Sequence, residues 1–232
     1  MMNSLFGIIS TLFSYKIAKF LNKYPIIKEI SPILSAGLII ILFLKVFKID
    51  YETYKKGANC ITFFLIPATI ALGYPLYKNV SMLVKNKRVV YFAFLLASLV
   101  AFLSTFLIGN FGNSEKQIVL SMLPKSITAP MALEASKLLG GIPELTACVV
   151  VLTGIFGGIF GHKILDFVKV KNHVAIGIAM GAASHVIGTS KCIEKGNQKQ
   201  IVMSTLALVV VGIITVALSP ILSWVLELIK FS

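Results

Sequence analysis

Residues 121–143, SMLPKSITAPMALEASKLLGGIP, set a lysine, hydroxyls and helix-disfavouring prolines inside what should be membrane-embedded sequence. A lysine near the bilayer centre costs about 2.5 to 3.5 kcal/mol to insert, so Lys125 is expected to face a cavity or a partner rather than lipid. Pro124 and Pro130 offer no backbone N–H, and each disfavours helical geometry in the residue before it. Together they predict a break between two half-helices from Leu123 to Pro130. Such a break persists at membrane depth only where protein or water satisfies the freed backbone groups. The stretch reads as one wall of a polar site.

The membrane setting itself follows from composition. Of the 232 residues 57% are hydrophobic and only 13% charged, which excludes an ordinary soluble domain. Apolar segments separated by basic loops recur from end to end, so the expectation is an all-α, polytopic integral membrane protein with a single membrane domain over 1–232. A formal charge of +13 invites a nucleic-acid reading. The lysines, however, fall in short loops between apolar segments, as positive-inside topology requires, and no nucleic-acid partner is expected. The loops from Lys16 to Lys28 and from Lys78 to Arg88 read as cytoplasmic. The apolar run Leu5 to Tyr15 lacks a preceding basic residue and a cleavage site, and reads as a retained helix. Cys60, Cys148 and Cys192 lie singly in or beside apolar segments and act as small packing residues; no disulfide, metal site or cofactor is expected.

Spans are expected over Ser4 to Phe20 and Ser31 to Phe47, the second opened by a Ser31 cap and Pro32. Asn59 to Tyr77 carries no charge but holds Pro67 in its middle, which predicts a break there, with Thr69 offering a hydroxyl beside freed carbonyls. Val89 to Ile108 reads as a plain scaffold or lipid-facing helix. In Leu145 to Gly161, Gly154, Gly157, Gly158 and Gly161 permit close helix packing and need no further explanation. A basic loop with solvated histidines is expected over His162 to His173. Val174 to Ile193 places Gly177, Gly181, Ser184 and Gly188 on one small-residue seam, with His185 beside it, Thr189 and Ser190 following, and Gly188 disfavouring a continuous helix. His185 is either a packed core residue or a site-lining, proton-carrying one. Gln200 to Leu226 is a long last segment with Pro220 able to kink it.

The two halves share a pattern. Ile30-Ser31-Pro32-Ile33-Leu34-Ser35-Ala36 aligns with Gly141-Ile142-Pro143-Glu144-Leu145-Thr146-Ala147, and each copy is followed by basic loops around an interrupted segment. Two structural repeats, about 4–108 and 118–229, are the expectation, with broken helices meeting near the midplane. An inverted arrangement is expected, although charge alone does not settle it. If the breaks converge, half-helix N-termini near Thr128 and Ser184, the Lys125 cation and the hydroxyls of Ser126, Thr128, Thr189, Ser190 and Thr69 would favour a small anion, first of all a carboxylate. His185 or Glu134 could carry a coupled proton, although Glu134 suits a surface pair with Lys137 equally well.

LPKSITAP, GGIPELTA and GAASHVIGTSK, together with LIPATIALGYPLYKN in the first half, resemble the signature segments of the LrgB/CidB family, and the resemblance covers essentially the whole chain. It implies a multi-pass protein of the bacterial inner membrane, described as an antiholin-like or murein-hydrolase-export regulator and paired with a small LrgA/CidA-like membrane protein. It also implies kinship with a plastid glycolate/glycerate transporter and with bacterial pairs linked to pyruvate uptake. Residues matching Pro124, Lys125, Thr128, Pro130, Gly141, Pro143, Ser184, His185, Gly188 and Thr189 are present. The leading expectation is therefore a transporter of a small monocarboxylate, such as pyruvate, glycolate or glycerate, as a homo-oligomer. The alternative is a holin/antiholin-like regulator of membrane permeability, murein hydrolase activity and autolysis. An enzyme is not expected, because neither paired carboxylates nor a nucleophile with its base is present; Ser184 and His185 are adjacent and diverge on a helix.

Overall fold

The computed structural model describes residues 2–24, 32–71, 73–78, 87–112 and 114–228. Every regular element among them is a helix. They fall into two compact units, Met1–Ala71 and Leu72–Ser232.

The first unit holds α1 (Met2–Leu21), α2 (Pro32–Val46), α3 (Tyr51–Thr62) and α4 (Leu65–Ala71). Asp50 starts α3 by accepting a hydrogen bond from the Glu52 amide at 3.2 Å, which satisfies one of the orphan donors of a helix N-terminus. α1 packs on α2 and α3. Gly7 makes the second contact possible, since a Cβ there would come within 2.7 Å of Gly57 Cα. Thr11 Oγ1 lies 3.0 Å from the Tyr54 hydroxyl across the same contact.

The expected span from Asn59 to Tyr77 is not one element but the end of α3, then α4, then α5 (Gly73–Lys78). Its first interruption falls at Phe63 and Phe64 rather than at Pro67. A proline cannot bond to the carbonyl four residues earlier and its ring clashes with it, so the helix parts one turn upstream, and Pro67 sits harmlessly in the first turn of α4. Ser31, the expected cap of α2, and residues 79–86 of the second basic loop lie outside the described residues.

The second unit continues from α5 with α6 (Lys87–Phe111), α7 (Lys116–Met122), α8 (Ala129–Leu139), α9 (Pro143–Phe167), α10 (His173–Lys195) and α11 (Gln198–Leu228). Three stretches, Arg88–Phe111, Pro143–Phe167 and Gln198–Trp224, are long and apolar enough to cross a membrane. α11 packs against α5, α6, α8 and α10, while α9 packs against α7, α8 and α10.

Lipid tails are as apolar as leucine, so helices here associate through close packing and hydrogen bonds rather than through water exclusion. Small residues supply the first. A Cβ at Gly177 would lie 2.9 Å from Met203 Cβ, and one at Gly181 would lie 2.8 Å from Ser204 Cα, so α10 and α11 meet backbone to backbone. Buried hydroxyls supply the second: Ser98 Oγ and Thr215 Oγ1 pair at 2.8 Å between α6 and α11.

α6 is a scaffold helix with one buried stripe: Val90, Phe94, Ser98, Phe102 and Thr105 recur at helical spacing and are all buried, while Leu95, Leu99 and Leu103 are exposed. One expectation is corrected in this unit. His162 is not in a solvated loop: α9 runs on to Phe167 and encloses it. Apolar Ile164 and Leu165 continue the helical pattern beyond the glycines, so the helix has no reason to stop at Gly161. His173 is exposed.

Candidate functional site

The first interruption lies between α7 and α8. Residues 123–128 are turns and extended backbone, held by the amides of Lys125 and Ile127 bonding to Met122 O at 3.2 Å and Pro124 O at 3.3 Å. Thr128, extended at φ −65° and ψ 146°, is the N-cap of α8, and Pro130 falls in that helix's first turn, where a missing N–H costs nothing. Lys125 and Ser126 thus project from a short non-helical segment. The Lys125 ammonium donates to Thr105 Oγ1 on α6, and Thr105 in turn donates to Ala101 O at 2.8 Å. No carboxylate pairs with Lys125 among the described residues.

A knot of buried hydroxyls braces this segment from behind. Gly140, left-handed at φ 78°, ends α8, and the Gly141 amide bonds back to Ser136 O at 2.9 Å. A Cβ at Gly141 would meet Ser121 N at 2.8 Å. Ser121 Oγ accepts the Ile142 amide at 2.7 Å, and Thr146 Oγ1 lies 2.8 Å from Ser121 O and 2.7 Å from Ser136 Oγ. The GGIPELTA segment therefore ties α7, α8 and the start of α9 together.

The second interruption lies inside α10, and its non-helical residue is His185, at φ 41° and ψ −127°. Gly188, the expected break, is instead the residue that tolerates its consequence: a Cβ there would collide with Met180 O and lie 2.8 Å from Ser184 Cβ. The His185 ring reaches across to α9, with Nε2 3.0 Å from Val150 O. The glycines of α9 make room for this, since a Cβ at Gly154 would lie 2.6 Å from His185 Cε1, and one at Gly157 would overlap Ser184 Oγ.

Between the two interruptions lies a cavity of about 310 Å³ lined by Lys125, Ser126, Thr153, Gly157, Met180 and Ser184 among others. Ser184 is only 2% exposed, yet neither its hydroxyl nor that of Ser126 has a hydrogen-bond partner among the described residues. The structure thus brings Lys125, Ser126 and Ser184 to one space. The ring of His185 is committed to Val150, and Thr189 donates to His185 O at 3.0 Å. Thr128 Oγ1 is buried without a partner among the described residues at the start of α8. Ser190 is exposed and bonded to Val186 O at 3.0 Å, away from the cavity. Glu134 pairs with Lys137 at 2.7 Å on an exposed face. Thr69 lies in α4 of the other unit, and its side chain is outside the described residues. No metal-ligating cluster occurs among the described residues.

Thr105, Thr146 and Thr153 are the residues that sequence reasoning passed over. Thr105 had a signal in the buried stripe of α6, and Thr146 in its place after the GGIP turn; Thr153 had none.

Helices interrupted at buried polar residues around a cavity define an all-helical membrane protein with a candidate internal site. The chain belongs to the LrgB-like family, whose pattern matches residues 11–225. It is 34% identical over 220 residues to the antiholin-like protein LrgB of Bacillus cereus (strain B4264), covering 94% of this chain and 95% of that protein. It is 30% identical over 210 residues to the uncharacterized protein YxaC of Bacillus subtilis (strain 168), covering 90% of each. No solved structure matches it.

Proposed function

We propose that this chain is an antiholin-like protein of the bacterial inner membrane that restrains loss of the permeability barrier, and through it murein hydrolase activity and autolysis, together with a small LrgA/CidA-like partner. Its similarity over nearly full length to a relative named antiholin-like carries this reading. The packing is compatible with it: the glycine contacts of α9 and α10 leave no room for added side chains along their seam, which suits a restraining subunit better than a pore wall. Dye release from vesicles containing the holin-like partner should fall as this chain is added; release unchanged at every ratio would remove the reading.

A second reading, transport of a small monocarboxylate such as pyruvate, glycolate or glycerate, is favoured by one observation, the cavity that joins an ion-unpaired Lys125 to two unpartnered serine hydroxyls. In that reading the interrupted segments belong to inverted repeats of one membrane domain, about 4–108 and 118–229, and the protein works as a homo-oligomer. A coupled proton would fall to His185, because Glu134 is engaged with Lys137 at the surface. Neither reading makes the chain an enzyme or calls for a cofactor. Vesicles loaded with unlabelled pyruvate should accumulate labelled pyruvate by exchange, and Lys125→Ala should abolish the uptake. Equal uptake by the variant would exclude Lys125 from the path.

A further inference from the structure

The cavity lining is mixed: Lys125, Ser126, Thr153 and Ser184 are polar, whereas Phe156, Ile164, Leu165 and Met180 are apolar. Phe156 is 59% and Ile164 48% exposed, so two of these walls also belong to the outer apolar face of α9. That face is exposed and apolar on a helix long enough to cross a membrane, which gives the cavity an apolar rim on the outer side of α9. A small hydrophilic acid would leave the apolar walls wet. A volume of about 310 Å³ corresponds to roughly ten waters at about 30 Å³ each. That is enough for an acidic head and a few methylenes, but a longer tail must leave over the apolar rim.

We propose that this cavity binds an acidic amphiphile, with its anionic head on Lys125, Ser126 and Ser184 and its tail running past Met180, Phe156 and Ile164 into the bilayer. The inference rests on the anion reading of Lys125 and extends it from small acids to acids that carry a tail. The head is a carboxylate or a phosphate, and the tail leaves over the apolar rim of α9.

The test uses the full chain in phosphatidylcholine nanodiscs, with labelled acetate, butyrate, hexanoate and octanoate measured by equilibrium dialysis and empty discs subtracted. Affinity should rise about fourfold per added methylene over the first few carbons, as expected for apolar groups leaving water. Lys125→Met should weaken every acid at least tenfold. Ile164→Ser, at an exposed wall where misfolding is not expected, should flatten the chain-length dependence without changing acetate. Binding that depends on Lys125 but not on chain length overturns the amphiphile and leaves the anion reading standing. Binding unaffected by Lys125→Met overturns both. Discs with phosphatidylglycerol admixed separate the sources: competition with octanoate assigns the head to a bilayer lipid, and its absence assigns it to a free acid.

Discussion

His185 Nε2 lies 3.0 Å from the backbone oxygen of Val150, so the residue at which α10 leaves helical geometry is held by the backbone of α9. A carbonyl only accepts, which places the proton on Nε2. The backbone of His185 is also in a region that side chains avoid, at φ 41°, and a strained residue of this kind costs about 1 to 3 kcal/mol. His185→Ala loses the hydrogen bond and keeps the strain; His185→Gly loses the bond and releases it. Both variants should unfold more readily than the parent, with the glycine variant about 1 kcal/mol more stable than the alanine one. Thermal unfolding in a single detergent measures the order, and an alanine variant at least as stable as the glycine one would show that the kink is not forced.

Gly157 faces Ser184 so closely that a methyl group has no place between them. Gly157→Ala should cost about 1 to 3 kcal/mol through overpacking. Ser184→Ala should not repair it, because Ser184 Cβ itself would stand 2.6 Å from the new atom, whereas Ser184→Gly should. A double-mutant cycle with a coupling of at least about 0.5 kcal/mol is expected. Additive losses would mean that α9 and α10 relax apart.

Thr146 sits fully buried between Ser121 and Ser136. Thr146→Val keeps the shape and strands the groups it served, which should cost about 1 to 3 kcal/mol, while Thr146→Ser should be nearly neutral. Comparing the two by denaturant unfolding separates hydrogen bonding from volume; equal losses would assign the residue to packing alone.

The first break was legible because proline chemistry is local: Pro124 and Pro130 each disfavour helical geometry in the residue before them, and two of them six residues apart flank the turn at Lys125, whereas the single Pro220 is carried inside α11. The same rule was misplaced at Pro67 by one turn, since proline disturbs the carbonyl upstream of it rather than its own position. The second break is expected near Ser184 and at Gly188, so its neighbourhood was legible, but His185 as the residue that leaves helical geometry was not. Nothing in GAASHVIGTS forbids a helix, and the kink accompanies a tertiary fit in which the ring docks on Val150 over Gly154. Gly188 drew attention as a flexible residue but serves as a thin one, beneath Met180 O. Thr105 went unnoticed because a threonine in an apolar helix raises no alarm singly; its register with Val90, Phe94, Ser98 and Phe102 was the available signal. The cavity depends on how α9 and α10 pack against the Lys125 turn, which no local pattern encodes.

Lys125 gives the sharpest separation of folding from function. Its ammonium bonds to the neutral Thr105 hydroxyl and has no acid partner among the described residues, so it bears a desolvation cost that an ion pair would have offset. A lysine kept at that cost is more readily explained by what it binds than by what it holds together. Lys125→Met preserves most of the volume and removes the charge, and should raise stability by about 1 kcal/mol, less than the full insertion penalty because the side chain is only partly buried. An organic acid at about a hundred times its dissociation constant should stabilise the parent by about 2.7 kcal/mol and leave the variant unchanged. Unfolding curves of both proteins with and without the acid decide the matter. A less stable Lys125→Met would make the ammonium a structural strut on α6, and a variant that still responds to the acid would move the anion site elsewhere.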